Sequence, residues 1–293
     1  MRLRIPALLD VLTVSDPELI ADLANDPRLD RNYGGRGPLF NRIVTRRIRK
    51  ALSLNGEPLP PVAPHGPERP KSAQAALEAR LNAVAAALGP GDPSVEKLAS
   101  YLRGEGPDAS VGPLAQEAVG RLFSADYEGD ARSWAAARVL DQAPRTFNLL
   151  LVFWWAVTGA VAKARRLLAD KVGGDPSGVH GTGVAVHNLV AGFSRMRALW
   201  ADPATRRRLT PEAATAQCLV APQQVVRQPT EAGLTLAGEY SPATLVLLQL
   251  DAANSRAPSP STAFMTQSWA RCPAHAWTPA LLAAVWRAAQ GEA

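Results

Sequence analysis

Residues 251–275 read DAANSRAPSPSTAFMTQSWARCPAH. The stretch holds a short polar and apolar run, a proline- and serine-rich loop over Ala257 to Thr262, and Cys272 followed at once by Pro273. Beyond it, Trp277 to Ala289 carries apolar residues at helical spacing, with Thr278 placed to cap the helix and Pro279 at its first position. Cys272 therefore lies a few residues ahead of a helix N-terminus, with Arg271 beside it. Such a place favours an anionic sulfur, because backbone N–H groups can reach it and the helix end carries partial positive charge. By residue type alone the same cysteine also reads as a buried structural thiol. Cys218 is the only other cysteine, so neither a disulfide framework nor a zinc ligand set can be built.

Upstream, between Pro222 and this stretch, the chain is β-type. Val225-Val226-Arg227, Leu234 to Leu236 and Thr244 to Leu250 read as strands, with turns at Ala232-Gly233 and Gly238 to Pro242. Before Pro222 the chain is mostly helical. Helices are expected at Arg42 to Leu52, Ser72 to Leu88, Val95 to Arg103, Val111 to Phe123, Ala131 to Leu140, Thr146 to Lys171 and Val184 to Trp200. Asp202-Pro203 closes the last of these, and Gly173 to Gly183 reads as loop. Leu54 to Pro70 carries six prolines and is an irregular connector. At the N-terminus, Val11 to Leu23 reads as a strand and a helix started by Ser15-Asp16-Pro17-Glu18. The expected fold class is mainly α with a small antiparallel β part.

Composition narrows the function classes. The chain has 293 residues, 47% hydrophobic and 20% charged, an ordinary globular balance with enough length for a sizeable core. The net charge of +6 gathers in Arg42, Arg46, Arg47, Arg49 and Lys50, and in Arg206 to Arg208. Neither cluster is interleaved with stacking aromatics, so solvated helix faces are expected and nucleic acid is not. Acidic partners, such as an electron-donor protein, suit the charge. Leu149 to Ala162, LLLVFWWAVTGAVA, is the most apolar run. It falls short of the roughly 18 residues of a membrane span, so a buried helix is expected, with a membrane-surface or interaction segment as the alternative. The N-terminus meets acid and proline too early for a secretory signal, which points to a cytoplasmic protein. No Rossmann fingerprint, phosphate loop, paired metal carboxylates or Ser/His/Asp motif appears.

From Val184 to Gln290 the chain resembles the haem-binding half of a cytochrome P-450. Cys218-Leu219-Val220-Ala221-Pro222, Val225-Val226-Arg227, the hairpin around Gly238 to Val246, Asp251-Ala252-Ala253-Asn254-Ser255-Arg256 and Arg271-Cys272-Pro273-Ala274-His275 follow in the family's order. Val14 to Ile20 is similar to the family's first strand and helix. The resemblance implies a single shortened domain over residues 1–293. Its parts are an N-terminal strand, helix and connector (1–70), a helical body (71–210), and a hairpin with a Cys loop (211–293). It also implies haem b, with Cys272 as axial sulfur ligand. Arg227, Arg271 and the pair His65 and Arg69, four apart, are then the cationic partners of the propionates. The residue readings that compete are a surface strand charge for Arg227 and a simple loop around His65 and Arg69, which Pro67 and Pro70 flank.

Departures from the family pattern are specific. Thr215 and Cys218 stand where Glu-x-x-Arg is usual, the glycines ahead of the cysteine are replaced by Met265 to Ala270, and Ala274 replaces the glycine after Cys-Pro. Counting back from Asp202-Pro203 puts His187 and Asn188 where a monooxygenase carries an acid–alcohol pair. His187 to Phe193 is similar to the matching stretch of allene oxide synthases and hydroperoxide lyases. The residues alone equally suit a satisfied core histidine and a helix-surface amide. The resemblance thus implies monooxygenation of a lipophilic substrate or rearrangement of a fatty-acid hydroperoxide. The alternative is a relative that has lost haem and serves in binding.

Overall fold

The computed structural model describes residues 1–31, 34–59, 72–89, 91–105, 107, 110–146 and 148–291. They form two compact units. One takes in Met1–Lys50, Val62–Ala76 and Val220–His275; the other takes in Ala51–Pro61, Leu77–Leu219 and Ala276–Ala293. Helices dominate and the sheet is small, as the sequence pattern predicts.

In the first unit, the sheet runs in the order Arg2–Ile5, Leu9–Val14, Leu245–Leu248, Val225–Pro229, Leu29–Asp30. Its pairings are antiparallel except one: Leu9–Val14 lies parallel to Leu245–Leu248, with Val11 opposite Leu245. Asp10, Leu12 and Val14 point inward at the period of a strand. Gly233–Thr235 and Gly238–Tyr240 form a separate hairpin. The expected start signal holds: Asp16 accepts from the N–H groups of Glu18 and Leu19 at 3.0 and 3.1 Å and opens the helix Pro17–Asn25. Buried Asp10 joins distant segments, accepting two bonds from Arg2 at 3.1 Å and one from Thr244 Oγ1 at 3.0 Å. Asn41, on the basic helix Leu39–Ala51, donates to the carbonyls of Asp10 and Ala243. Arg42, Arg46, Arg49 and Lys50 lie on that helix's exposed side.

A second buried carboxylate, Asp26, holds Arg28 through two bonds of 2.9 and 2.8 Å and takes the hydroxyl of Tyr240. Burial alone would push the Asp26 carboxyl up, but the bonds from Arg28 and Tyr240 outweigh it and hold the group below its ordinary range. A depressed folded pKa stabilises above the unfolded value and is lost as pH falls through the folded one. The first unit is therefore expected to weaken below about pH 4. In urea titrations across that range, Asp26→Asn should flatten the acid slope and cost about 2 kcal/mol at neutral pH.

The second unit is helical. Trp277–Gln290 packs against Pro93–Arg103 and Pro211–Cys218, and Val186–Ala201 packs against Val111–Arg121 and Pro211–Cys218. Trp286, Phe193, Met196 and Leu98 are fully buried in this unit. Asp92 caps Pro93–Arg103, and Asp130 with Ser133 makes a reciprocal capping box on Ala131–Gln142.

Four expectations are corrected here. The helix foreseen over Thr146 to Lys171 is two helices, Leu149–Thr158 and Ala160–Lys171, because Gly159 takes a left-handed conformation (φ 65°) between them. The apolar run is not buried: no residue of Leu149–Thr158 is. Apolarity says that a face seeks cover, not that a neighbour supplies it. Gly173 to Gly183 is not loop, since Asp175 caps a short helix Pro176–His180 that continues as the π-helical turn Gly181–Ala185. Thr278 does not cap its helix; Ala276 holds that position, without a side-chain bond.

Candidate functional site

The loop that carries Cys272 is built by its own backbone. The short helix Pro260–Phe264 ends in Met265, which takes the left-handed region (φ 50°). A methionine thus makes the turn at the start of the stretch where the family uses glycines. Ser268 is buried and bonded three ways: its N–H donates to Met265 O at 2.8 Å, its hydroxyl donates to Ala24 O at 3.0 Å, and that hydroxyl accepts from the Ala270 N–H at 3.1 Å. Arg271 N–H donates to Ser268 O, and Arg271 O accepts from Gln74 at 3.0 Å. The Cys272 N–H then donates to Phe264 O at 2.8 Å and closes the loop. Ser268 is a positioning residue that no motif signals; only the fold brings it under Ala24.

Cys272 is half-buried. Burial pushes its thiol up, and the backbone N–H of Ala274, donating to the sulfur, pulls it back in part. A metal ion bound at the sulfur would deprotonate it. Ala274 has no positive φ, so the alanine that replaces glycine is not strained there. His275 folds back on the loop, with Nδ1 3.1 Å from Cys272 O. Cys218 differs: it is fully buried, and burial pushes its thiol up to about 12.

Arg227 is in the same unit as Cys272. It is 2% exposed, so a surface strand charge is excluded. Its guanidinium donates to Val226 O at 3.0 Å and lies 5.7 Å from the ring centre of Trp269, two residues ahead of Arg271. Arg271 is half-buried. His65 and Arg69 lie outside the described residues. An open cavity of about 520 Å³ in this unit is lined by Asp22, Asn25, Asp26, Arg28, Thr235 and Gln267, among others, and not by Cys272.

His187 and Asn188 belong to the second unit, at the start of Val186–Ala201 and directly after the π-helical turn. Both are half-buried. The His187 ring lies 4.7 Å from that of Trp134, and its Nε2 is buried without a hydrogen-bond partner among the described residues. Burial lowers its pKa; the Ala137 carbonyl opposes this, and Arg145 and Arg138 add to it. The imidazole is thus neutral at physiological pH. At the positions of the missing Glu-x-x-Arg pair, Thr215 and Cys218 are both buried on Pro211–Cys218. A neutral pair there avoids the desolvation that two charges would meet.

The π turn has its own support. Gln116 Nε2 donates to Thr182 O at 2.9 Å and Ser133 O at 3.1 Å, while Gln116 Oε1 accepts from Ser133 Oγ at 2.7 Å. All three residues are fully buried. Gly183 is there for space: a Cβ on it would come within 2.9 Å of Leu140 and 3.0 Å of Leu168. Turns of this kind are frequent at functional sites. Gln116→Leu removes the side-chain donor to the Thr182 and Ser133 carbonyls, while the Ser133 hydroxyl keeps its bonds to Asp130, with an expected loss of about 1–3 kcal/mol in denaturant unfolding.

No family model and no curated protein matches the sequence. Solved structures do. The cytochrome P-450 EX alpha, with myristic acid, aligns over 98% of this chain and 82% of its own at 12% identity and a TM-score of 0.61. The P-450 BioI, in complex with hexadec-9Z-enoic acid ligated acyl carrier protein, aligns over 99% and 86% at 15% identity and 0.56. The LnmA cytochrome P-450 hydroxylase of the leinamycin pathway of Streptomyces atroolivaceus aligns over 97% and 83% at 15% identity and 0.55. The helical body, the small sheet and the order of their elements are thus those of the cytochrome P-450 fold, carried here by a chain of 293 residues.

Proposed function

We propose that this chain is a haem-thiolate oxidoreductase acting on a lipophilic substrate, in which Cys272 would hold the iron of haem b through its sulfur. The observation that carries this is the P-450 fold, aligned over 98% of the chain, with the half-buried Cys272 on the loop ahead of the last helix Trp277–Gln290. The donor set fits the group: a half-buried sulfur, and the buried Arg227 with Arg271 to serve the propionates. His65 and Arg69 are further propionate candidates. When bound, the haem supplies oxidation chemistry in which the thiolate pushes electron density to iron and favours O–O cleavage. The lipophilic substrate is supported by two relatives solved with fatty acyl ligands. An electron-donor protein with an acidic face suits the +6 charge.

Monooxygenation is the first reading, supported by the likeness to a P-450 hydroxylase. Hydroperoxide rearrangement is a second reading, favoured by Asn188 and the neutral His187. An amide donates a hydrogen bond to a substrate oxygen but does not relay protons as an acid–alcohol pair does.

The test is spectroscopic. The protein is purified with added haem, reduced, and exposed to carbon monoxide. A thiolate-type Soret band is expected; a protein that takes up no haem is the binding relative instead. Consumption of a fatty-acid hydroperoxide without a reductase then selects rearrangement, and dependence on NAD(P)H with a redox partner selects monooxygenation.

A further inference from the structure

The helix Leu149–Thr158, LLLVFWWAVT, has no buried residue. Leu149, Leu150, Phe153, Trp154 and Val157 are each more than 60% exposed. At 100° per residue these five fall within an arc of about 140°, one continuous apolar face. Leu151, Val152 and Trp155, on the other side, are half-buried. The helix rests on Ala160–Lys171, which in turn packs on Ala131–Gln142. It is the outer layer of the second unit at this point. An apolar run of this length is ordinarily a core helix or an interfacial segment, and the first is excluded by its exposure. At 1.5 Å per residue it is about 15 Å long, half of a bilayer's hydrocarbon thickness. Among the described residues no helix is long and apolar enough to cross a membrane.

Charge names the partner. Between Asp141 and Asp170 the sequence has no acidic residue and four basic ones, Arg145, Lys163, Arg165 and Arg166. Arg145 pairs with Asp141 and Arg165 bonds to Ser53. Lys163 and Arg166 are exposed, lie three apart on one helix face, and make no ion pair among the described residues. An apolar face with Trp and Phe, followed on the next helix by exposed cations without ion pairs among the described residues, matches an anionic lipid surface. A symmetric pairing of two copies through this face would set the acid-free stretch against itself.

We infer that Leu149–Thr158 lies in the interface of an anionic membrane, its apolar face in the acyl boundary and Lys163 and Arg166 at the lipid phosphates. The inference is independent of haem binding. The test is flotation of the full chain with vesicles of phosphatidylglycerol and phosphatidylcholine, and with vesicles of phosphatidylcholine alone. The wild type is expected to float with the anionic vesicles and to bind the neutral ones roughly tenfold more weakly. Phe153→Ser with Trp154→Ser should reduce anionic binding by roughly tenfold or more, and Lys163→Ser with Arg166→Ser by several-fold. All four positions are exposed, so circular dichroism and melting should be unchanged. Failure of the wild type to bind anionic vesicles, or equal binding by the Phe153→Ser and Trp154→Ser protein, overturns the proposal. So does a dimer in sedimentation velocity that the same pair of substitutions abolishes, since the face then belongs to a second copy.

Discussion

Cys272→Ala is expected to abolish the thiolate-type carbon monoxide spectrum of the haem-loaded protein completely, while Cys218→Ala leaves it in place. The two sulfurs differ in exposure and in the element that carries them. Cys218 is fully buried, with its thiol pushed up to about 12 by burial, and substitution there trims a small group from the core. Cys272 is half-buried on a loop ahead of the last helix. The loop's closing bond, Cys272 N–H to Phe264 O, uses backbone alone and survives the change to alanine. The variant should therefore fold, with a melting temperature close to the parent, and lose only the spectrum. A spectrum that survives Cys272→Ala and vanishes with Cys218→Ala assigns the ligand to the other sulfur.

The largest stability effect is expected at Trp286. Its side chain is fully buried, and its ring stands edge-on to Trp200 at 5.1 Å between centres. It lies on Trp277–Gln290, the helix that joins Pro93–Arg103 and Pro211–Cys218 into one core. Trp286→Ala removes the ring and leaves a cavity that three helices cannot close, at an expected cost of about 3–5 kcal/mol. That is a large part of the roughly 5–15 kcal/mol by which domains are stable. The indole Nε1 is buried without a hydrogen-bond partner among the described residues. Trp286→Phe therefore gives up packing but no hydrogen bond, and should cost roughly 1–2 kcal/mol. Urea unfolding followed by far-ultraviolet circular dichroism separates the two. An equal loss in both variants would show that the indole N–H has a partner.

Much of the fold was legible because local chemistry encodes local structure. Asp16 before Pro17, and Pro93 and Gly104 around a helical pattern, set helix ends through groups a few residues apart. The order of Pro222, Val225 to Arg227, Asp251 to Arg256 and Cys272 was enough to name the fold. The candidate site was legible only at its motif positions. Ser268 under Ala24, Gln116 on the π turn, and Asp26 with Tyr240 join residues far apart in the chain, and no spacing announces them. His65 and Arg69 are outside the described residues.

By itself the sequence determined the helical class, most element boundaries and the place of Cys272 ahead of the last helix. Periodicity and capping act over a few residues, within reach of a linear reading. Only the tertiary structure decided that Leu9–Val14 lies parallel to Leu245–Leu248, that Arg227 is buried beside Trp269, and that Leu149–Thr158 keeps its apolar face uncovered. Side-chain chemistry states what a residue seeks, and the path of the chain decides which neighbour arrives to meet it, or that none does.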